Sequence, residues 1–335
     1  RALAGLDFMV SVDPYLNETS RHAHLVLPPT SPLERAHYDI ALSGFAVRNV
    51  AKYSPPLFAK PVDARHDHEI LAELTLRLGT PQGSARTAAR ARGTIARRLG
   101  PRGVLALMLR TGAYGMPYEG WVRSIAALPG LGALRAQLAA PDRRPSGLSI
   151  RRLEASPHGV DLGPLRPSLL RRLATPGGRV QLAPARHLED LARAARALAS
   201  PPPALVLIGR RHVRSNNSWL HNSQRLVKGK PRCTLMIHPE DAQRRGIADG
   251  AAVRLRSRVG EIEVPAEVTP DVMPGVVSLP HGWGHDRDGV RLGVASRHAG
   301  ASINDVIDDQ FIDELTGTAV LNGTPVEVLP TAAGP

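Results

Sequence analysis

The stretch from Leu205 to Asn222, LVLIGRRHVRSNNSWLHN, limits what this chain can become more than any other. It begins with four apolar residues, the pattern of a short buried strand. Gly209 comes next, and then a run with few apolar side chains: Arg210, Arg211, His212, Arg214, Ser215, Asn216, Asn217 and Ser218. Such a run does not enter a core, because each buried polar group without a partner costs on the order of a few kcal/mol. It is rich in guanidinium forks, amides, hydroxyls and backbone N–H groups, the donors that hold phosphates and heterocycle edges. A solvated surface loop has the same composition, so the rest of the chain decides between the two.

The loop leads into a compact module. Pro239 suits a first helical position, Glu240 and Asp241 fall in the first turn, Arg244 and Arg245 in the last, and Gly246 ends it. After Asp249-Gly250 come two alternating strands, one carrying Val253 and Leu255, the other Ile262, Val264, Ala266 and Val268. Asp271–Gly275 is a further turn and Val276–Leu279 a further strand. Short strands, tight turns and one small helix predict a small β-barrel. Two more polar loops leave it, His281-Gly-Trp-Gly-His285 and Gly300–Asp305. The glycines between His281 and His285 argue against the helical zinc pair. Those flanking Trp283 suggest close backbone approach to a ligand or a neighbour. Asn304 and Asp305 precede an apolar turn and suit either a cap or a ligand contact.

Upstream, Phe8–Val12 and Leu25–Leu27 are strand candidates joined by the polar connector PYLNETSRHAH, which contains Glu18, Thr19 and His22. An acid at the carboxyl end of a short apolar strand is how open α/β sheets present a ligand crevice. Asp13 suits a ribose or base there, and equally a turn or helix cap. His22 and His24 are too close in sequence to define a metal site. Residues 53–62 are proline-broken and extended. Asp67 then opens a helix with Ile70, Leu71, Leu74 and Leu78 on one stripe and Gly79 as its stop. Val104–Leu109 and Trp121–Leu128 suit helices, Val180–Leu182 a short strand, and Leu188–Leu198 a helix with Leu188, Leu191, Ala195 and Leu198 inward. Pro201–Pro203 marks a boundary.

The net charge of +13 suggests nucleic acid until it is located. Residues 84–200 carry 20 arginines against 6 acids, while the flanking segments are close to balanced. That basic segment lacks interleaved aromatic platforms, which argues against a single-strand groove, so no nucleic-acid partner is expected. No apolar run of about 18 residues is present to span a membrane, and no secretory signal pattern opens the chain. The first residues read like the inside of a domain, as of a longer protein, and the expected location is the cytoplasm. The single cysteine, Cys233, excludes an internal disulfide and a cysteine-based metal cluster within the chain; it is expected to be structural.

Five motifs in order resemble one family. They are DFMVSVDPYLNETSRHAHLVLPPTSPLE at 7–34, TPGGRVQL at 175–182, the strand–GR–polar loop at 207–222, HPEDAQRRGIADGAAVRL at 238–255, and VMPGVVSLPHGWGH at 272–285. SIND at 302–305 is similar to a late asparagine element of the same family. The chain resembles the C-terminal portion of the bis(molybdopterin guanine dinucleotide) oxidoreductases, the group of formate dehydrogenases, nitrate reductases and dimethyl sulfoxide reductase. The resemblance implies the end of an α/β dinucleotide-binding domain over 1–60 and an Arg-rich connecting region over 61–200. It implies a six-stranded double-psi β-barrel over 201–335 that binds the molybdopterin dinucleotide. Arg210, His212, Arg214, Ser215, Asn216, Asn217 and Ser218 would line the cofactor, and His281, Trp283 and Asn304 would close over it. Asp13, Glu18 and Thr19 would lie near the other nucleotide site or the funnel. The family's molybdenum ligand and [4Fe-4S] cysteines lie upstream of anything here, so the expected partners are upstream domains of the same polypeptide and an electron-transfer subunit or carrier. No residue of this chain is expected to break bonds. The alternative is a non-catalytic barrel module used for binding or assembly.

Overall fold

The computed structural model describes residues 2–78, 84–116, 144–167 and 169–331. The expected stop at Gly79 and the expected helix Trp121–Leu128 lie outside them. The chain divides into two units: residues 10–14 with 25–181, and residues 1–9 and 15–24 with 182–335.

In the first unit, β1 (Val10–Ser11) and β2 (Leu25–Val26) pair in parallel. β3 (His37–Tyr38) pairs antiparallel with β5 (Tyr53–Ser54), and β4 (Arg48–Ala51) with β6 (Val160–Pro164) across a register shift. The helix Asp67–Leu78 forms where the apolar spacing places it, yet of its stripe only Ile70 is fully buried, and Leu71 and Leu78 are exposed. A second helical stretch, Ser84–Thr111, breaks at Gly100-Pro101, where Gly100 takes a left-handed φ and proline lacks the helical N–H. Its C-terminal half packs Leu109 with Ala51, Tyr53, Leu148, Ile150, Leu153 and Val160 into one small core.

Two expectations for the segment before β7 (Val206–Arg210) are corrected. Val180–Leu182 is not a strand, and Leu182 is 91% exposed. Ala185–Ala199 is a helix, but Leu188, Leu191 and Leu198 are 52%, 60% and 89% exposed, not inward. Helical periodicity reports that a stripe exists; it does not report what covers it.

The second unit is built on one mixed sheet of seven strands. These are β7 (Val206–Arg210), β8 (Leu235–Ile237), β9 (Ala252–Arg256), β10 (Glu261–Val268), β11 (Val276–Pro280), β12 (Thr324–Pro325) and β13 (Glu327–Pro330), in the order β12-β7-β11-β8-β10-β9-β13. Leu207, Leu235, Ile237, Val253, Leu255, Val264, Val277, Leu279 and Val328 face one shared core. Each fully buried leucine contributes about 2 kcal/mol by its removal from water. Alternation is clean in β9, where Val253 and Leu255 are buried between exposed Ala252, Arg254 and Arg256. β11 lies between β7 and β8 and is buried on both faces, which explains its unbroken apolar run. The helix Pro239–Arg244 starts at proline, with His238 Nδ1 accepting from the Glu240 amide as its cap.

Two pairings set up the site. β11 runs parallel to β7, with Pro280 opposite Arg210, and the His281 amide continues the ladder to the Arg210 carbonyl at 3.3 Å. Loops 211–222 and 281–285 therefore leave side by side from the carboxyl ends of neighbouring parallel strands.

Candidate functional site

Three loops of this unit are locked together by backbone contacts. Gly282 takes φ 87°, and a Cβ there would stand 2.6 Å from the Asn217 carbonyl oxygen and 3.1 Å from the Ser218 nitrogen. The Gly284 and His285 amides donate to the Ala299 carbonyl at 2.8 and 3.3 Å, joining the second loop to the third. Gly300 lets Cys233 and Trp283 approach to within 2.9 Å of where its Cβ would be. The buried Cys233 thiol, its ionisation pushed up by burial, donates to the Ala301 carbonyl and accepts from the Ala301 amide, a structural role.

The first loop is a tight polar turn. Ser215 is buried and donates to the His212 carbonyl at 2.8 Å, and His212 Nδ1 accepts from the Arg214 amide at 3.2 Å. Asn216 and Asn217 both adopt left-handed φ, 41° and 65°, a conformation asparagine tolerates better than most residues. Arg211 donates to the Asn217 side chain. Arg210 behaves differently from its neighbour. Its guanidinium donates to the carbonyls of Ser278, at 2.5 Å, and Thr234, at 2.8 Å, and to the Thr234 hydroxyl at 3.0 Å. It braces β7 against β11 and the residue ahead of β8, and Arg210 also borders a cleft.

That cleft is lined by Gly209, Arg210, Arg211, His281, Ile303, Asn304, Ile307, Leu321 and Asn322. Of the residues singled out from sequence, Arg210, His281 and Asn304 meet there. The Asn217–Ser218 backbone supports Gly282 beside it. Arg214, Asn216 and Asn217 are exposed on the loop, and Ser218 is half-buried.

Beside Trp283 lies a cluster that sequence reasoning missed. His221 and His285 are each 2% exposed, with His221 Nδ1 2.8 Å from His285 Nε2. His285 Nδ1 lies 2.7 Å from Glu18 Oε1. The Trp283 ring covers His221 at a centroid distance of 4.0 Å. Glu18 is held there because Asn17 Oδ1 accepts from the Thr19 and Ser20 amides, and because Leu16 and Arg21 bond to Arg291 and Asp288. Thr19 itself is exposed. Asp13 belongs to the other unit. The only local signal for His221 was its place directly after the polar loop. The contacts themselves are remote in sequence: 64 positions separate His221 from His285, and 267 separate His285 from Glu18.

The electrostatics suit an anion with a heterocycle. Burial, then the positive charge of Arg211, lowers the His281 pKa. Burial, then Arg232, Arg210 and Arg214, does the same to His212. His221 falls from 6.5 to about 4, by burial and then by repulsion from His285. Neutral imidazoles stand among fixed guanidinium charges. Among the described residues, four buried side-chain nitrogens have no hydrogen-bond partner: Arg21 Nε, His221 Nε2, His281 Nε2 and Trp283 Nε1. All four belong to this unit, and buried polar atoms of native proteins are ordinarily paired.

A mixed sheet whose adjacent loops gather guanidinium groups, neutral imidazoles and unpaired nitrogens offers the donors that a large anionic cofactor needs. Residues 205–325 match the family described as Molydopterin dinucleotide binding domain. Dimethyl sulfoxide/trimethylamine N-oxide reductase of Cereibacter sphaeroides is 28% identical over 301 residues, covering 85% of this chain and 33% of that protein. Dimethyl sulfoxide reductase DmsA of Escherichia coli is 38% identical over 81 residues, 24% of this chain and 10% of that protein. The chain thus spans between a tenth and a third of the length of these curated relatives. The solved structure of acetylene hydratase from Pelobacter acetylenicus superposes with a TM-score of 0.61 at 16% identity, covering 98% of this chain and 41% of that one, and shares its fold. Residues 205–325 thus match a molybdopterin dinucleotide binding domain, and the chain is similar to a portion of these molybdopterin oxidoreductases.

The cofactor of such a domain is a molybdopterin guanine dinucleotide carrying molybdenum, and the residues present fit it. Its pyrophosphate needs guanidinium and N–H donors, and its aminopyrimidinone rings need paired donors and acceptors; the four unpartnered nitrogens and the exposed loop arginines are of those kinds.

Proposed function

We propose that this chain is the cofactor-binding part of a molybdenum-dependent oxidoreductase that carries out two-electron chemistry on a bis(molybdopterin guanine dinucleotide). The observation that carries the reading is the meeting of three donor-rich loops at one end of β7 and β11, with buried nitrogens left unpaired among them. In this reading Arg211 and Arg214 meet phosphate oxygens. His212, Ser215, Asn216, Asn217 and Ser218 shape and line the turn around them, and His281, Trp283 and Asn304 close over the pterin. Arg210 holds the strand that presents the loop.

The seven-stranded sheet is, on this reading, the family's six-stranded double-psi barrel with the two-residue strand Thr324–Pro325 added at its edge. When bound, the cofactor supplies the redox chemistry; the chain's own residues bind it, orient it and tune its surroundings. The metal's protein ligand, a [4Fe-4S] cluster and the contact with an electron-transfer subunit or carrier are assigned to upstream domains. Relatives named for sulfoxide and N-oxide reduction favour that class of substrate ahead of formate or nitrate.

The test is Arg214→Ala in the protein as the cell makes it. Molybdenum per polypeptide, by metal analysis, should fall while the fold is retained; unchanged molybdenum content contradicts the assigned role.

A further inference from the structure

The helix Ala185–Ala199 presents its apolar stripe to solvent and its polar side to its own unit. Leu188, Leu191, Ala195 and Leu198 recur at spacings of three, four and three, and all four are exposed. Asp190 and Arg193 are the two half-buried residues of the helix. Arg193 donates twice to Asp190, at 2.6 and 2.7 Å, and stands 3.9 Å from Asp313 beyond the helix. With about 3.6 residues per turn, these two lie across the helix from the leucines. A surface helix that serves its own core does the reverse. Here the ion pairs anchor the polar side and leave the stripe outward.

Spacing and flank chemistry select what fits that stripe. Its four positions follow the a and d repeat of a two-stranded helical pair, and the positions beside the seam are His187 and four alanines. A methyl group is small enough for a second helix to approach closely. Reversing the helix upon itself about Arg193 sets Leu188 opposite Leu198 and Leu191 opposite Ala195, large against small. The same reversal brings Glu189 of each copy about level with Arg196 of the other, on one flank. The helix's own ion pairs are Asp190–Arg193 and Arg193–Asp313, and among the described residues Glu189 and Arg196 have none. A lipid surface selects cations on the polar face and would meet Glu189 and Asp190 as well. A second copy matches apolar and charged positions together.

We propose that this stripe is a docking surface for a second copy of the chain. The two helices pack antiparallel about a two-fold axis level with Arg193, with Leu188, Leu191 and Leu198 in the seam and two Glu189–Arg196 pairs beside it. Such a contact is isologous and closes at two copies. It is independent of the cofactor reading. Each helix is about 22 Å long, a small contact, so the pair forms reversibly with concentration.

The experiment is sedimentation velocity of the native protein over a concentration series, beside Leu191→Glu, Glu189→Arg, Arg196→Glu and the double exchange of the two charges. The native mass should rise towards that of a dimer. Leu191→Glu should stay monomeric throughout with unchanged thermal unfolding, because the side chain it replaces is exposed. Each single charge exchange should raise the dissociation constant about fivefold, the order expected for losing two exposed ion pairs. The double exchange should restore it, which a merely structural role would not do. Mixing Leu188→Cys chains with Leu198→Cys chains under mild oxidation should give the mixed disulfide ahead of either symmetric one, since the native Cys233 is buried. Symmetric products in excess overturn the antiparallel arrangement. A native protein that stays monomeric, or a dimer that survives Leu191→Glu, overturns the proposal. A monomer in which Leu191→Cys resists a thiol reagent does so too, and assigns the stripe to another part of the same polypeptide.

Discussion

The carbonyl oxygen of Asn217 occupies the space that a side chain on Gly282 would need, 2.6 Å from the position of its Cβ. Gly282 also sits at φ 87°, where a side chain is strained whatever its neighbours. The two loops can lie against each other only because this residue is glycine. Gly282→Ala should therefore cost roughly 2 kcal/mol or more and part the loops, lowering thermal stability and cofactor content together. Unchanged values of both, by calorimetry and metal analysis, would show that the contact does not matter.

Arg210 and Arg211 are adjacent in sequence and opposite in consequence. Arg210 makes three hydrogen bonds, one to Ser278 of β11 and two to Thr234 just ahead of β8, so Arg210→Ala should destabilise the domain by about 2–4 kcal/mol. Arg211 is exposed, and Arg211→Ala should change stability by less than about 0.5 kcal/mol while cofactor content falls. Urea denaturation beside metal analysis of each variant separates the two effects.

Asp241 is 1% exposed and accepts from the Gly275 amide at 2.7 Å and from Arg244 at 2.5 Å. Burial works to raise its pKa, but the Gly275 amide and Arg244 outweigh that and hold it below the usual carboxylate range. Asp241→Ala should cost about 3 kcal/mol by leaving the Gly275 donor unpaired, and Asp241→Asn less. The urea midpoints of the two variants give the order.

His221 gives stability a defined pH dependence. The folded ring protonates only near pH 4, against 6.5 ordinarily, so between those values the unfolded chain binds the extra proton. The contribution is present in full above about pH 6.5 and is lost as the pH falls towards 4. Urea midpoints measured from neutral to mildly acid pH should decline, and His221→Gln should flatten that decline. An identical slope in the variant would contradict a neutral buried His221.

Much of the seven-stranded sheet is legible in the sequence because its signals are local. Alternation marks Val253, Leu255, Val264 and Ala266, and Pro239 with Gly246 marks both ends of the short helix. The polar run after β7 is legible as a loop outside the core for the same reason. The parts that escape the sequence depend on which distant elements meet. Glu18 pairs with His285 across most of the chain's length, a contact that no local pattern marks. The spacing of His285 from His281 speaks only to a helical zinc pair, and the contact of His285 with His221 has no trace in spacing. Arg210 reads like the loop residues after it until the strand's pairing turns its side chain towards Ser278 and Thr234. The apolar stripe of Ala185–Ala199 is equally plain in sequence, and the sequence holds nothing that says whether it is covered.

If the converging loops hold a molybdopterin guanine dinucleotide, its content depends on their side chains. The most direct measurement is the guanine nucleotide and molybdenum released per polypeptide from the native protein, from an Arg211→Ala, His281→Ala double variant, and from Arg254→Ala, which alters an exposed strand residue outside the loops. Nucleotide and metal should leave the loop variant together, while Arg254→Ala retains both. Equal content in all three proteins, or none in the native one, would contradict it.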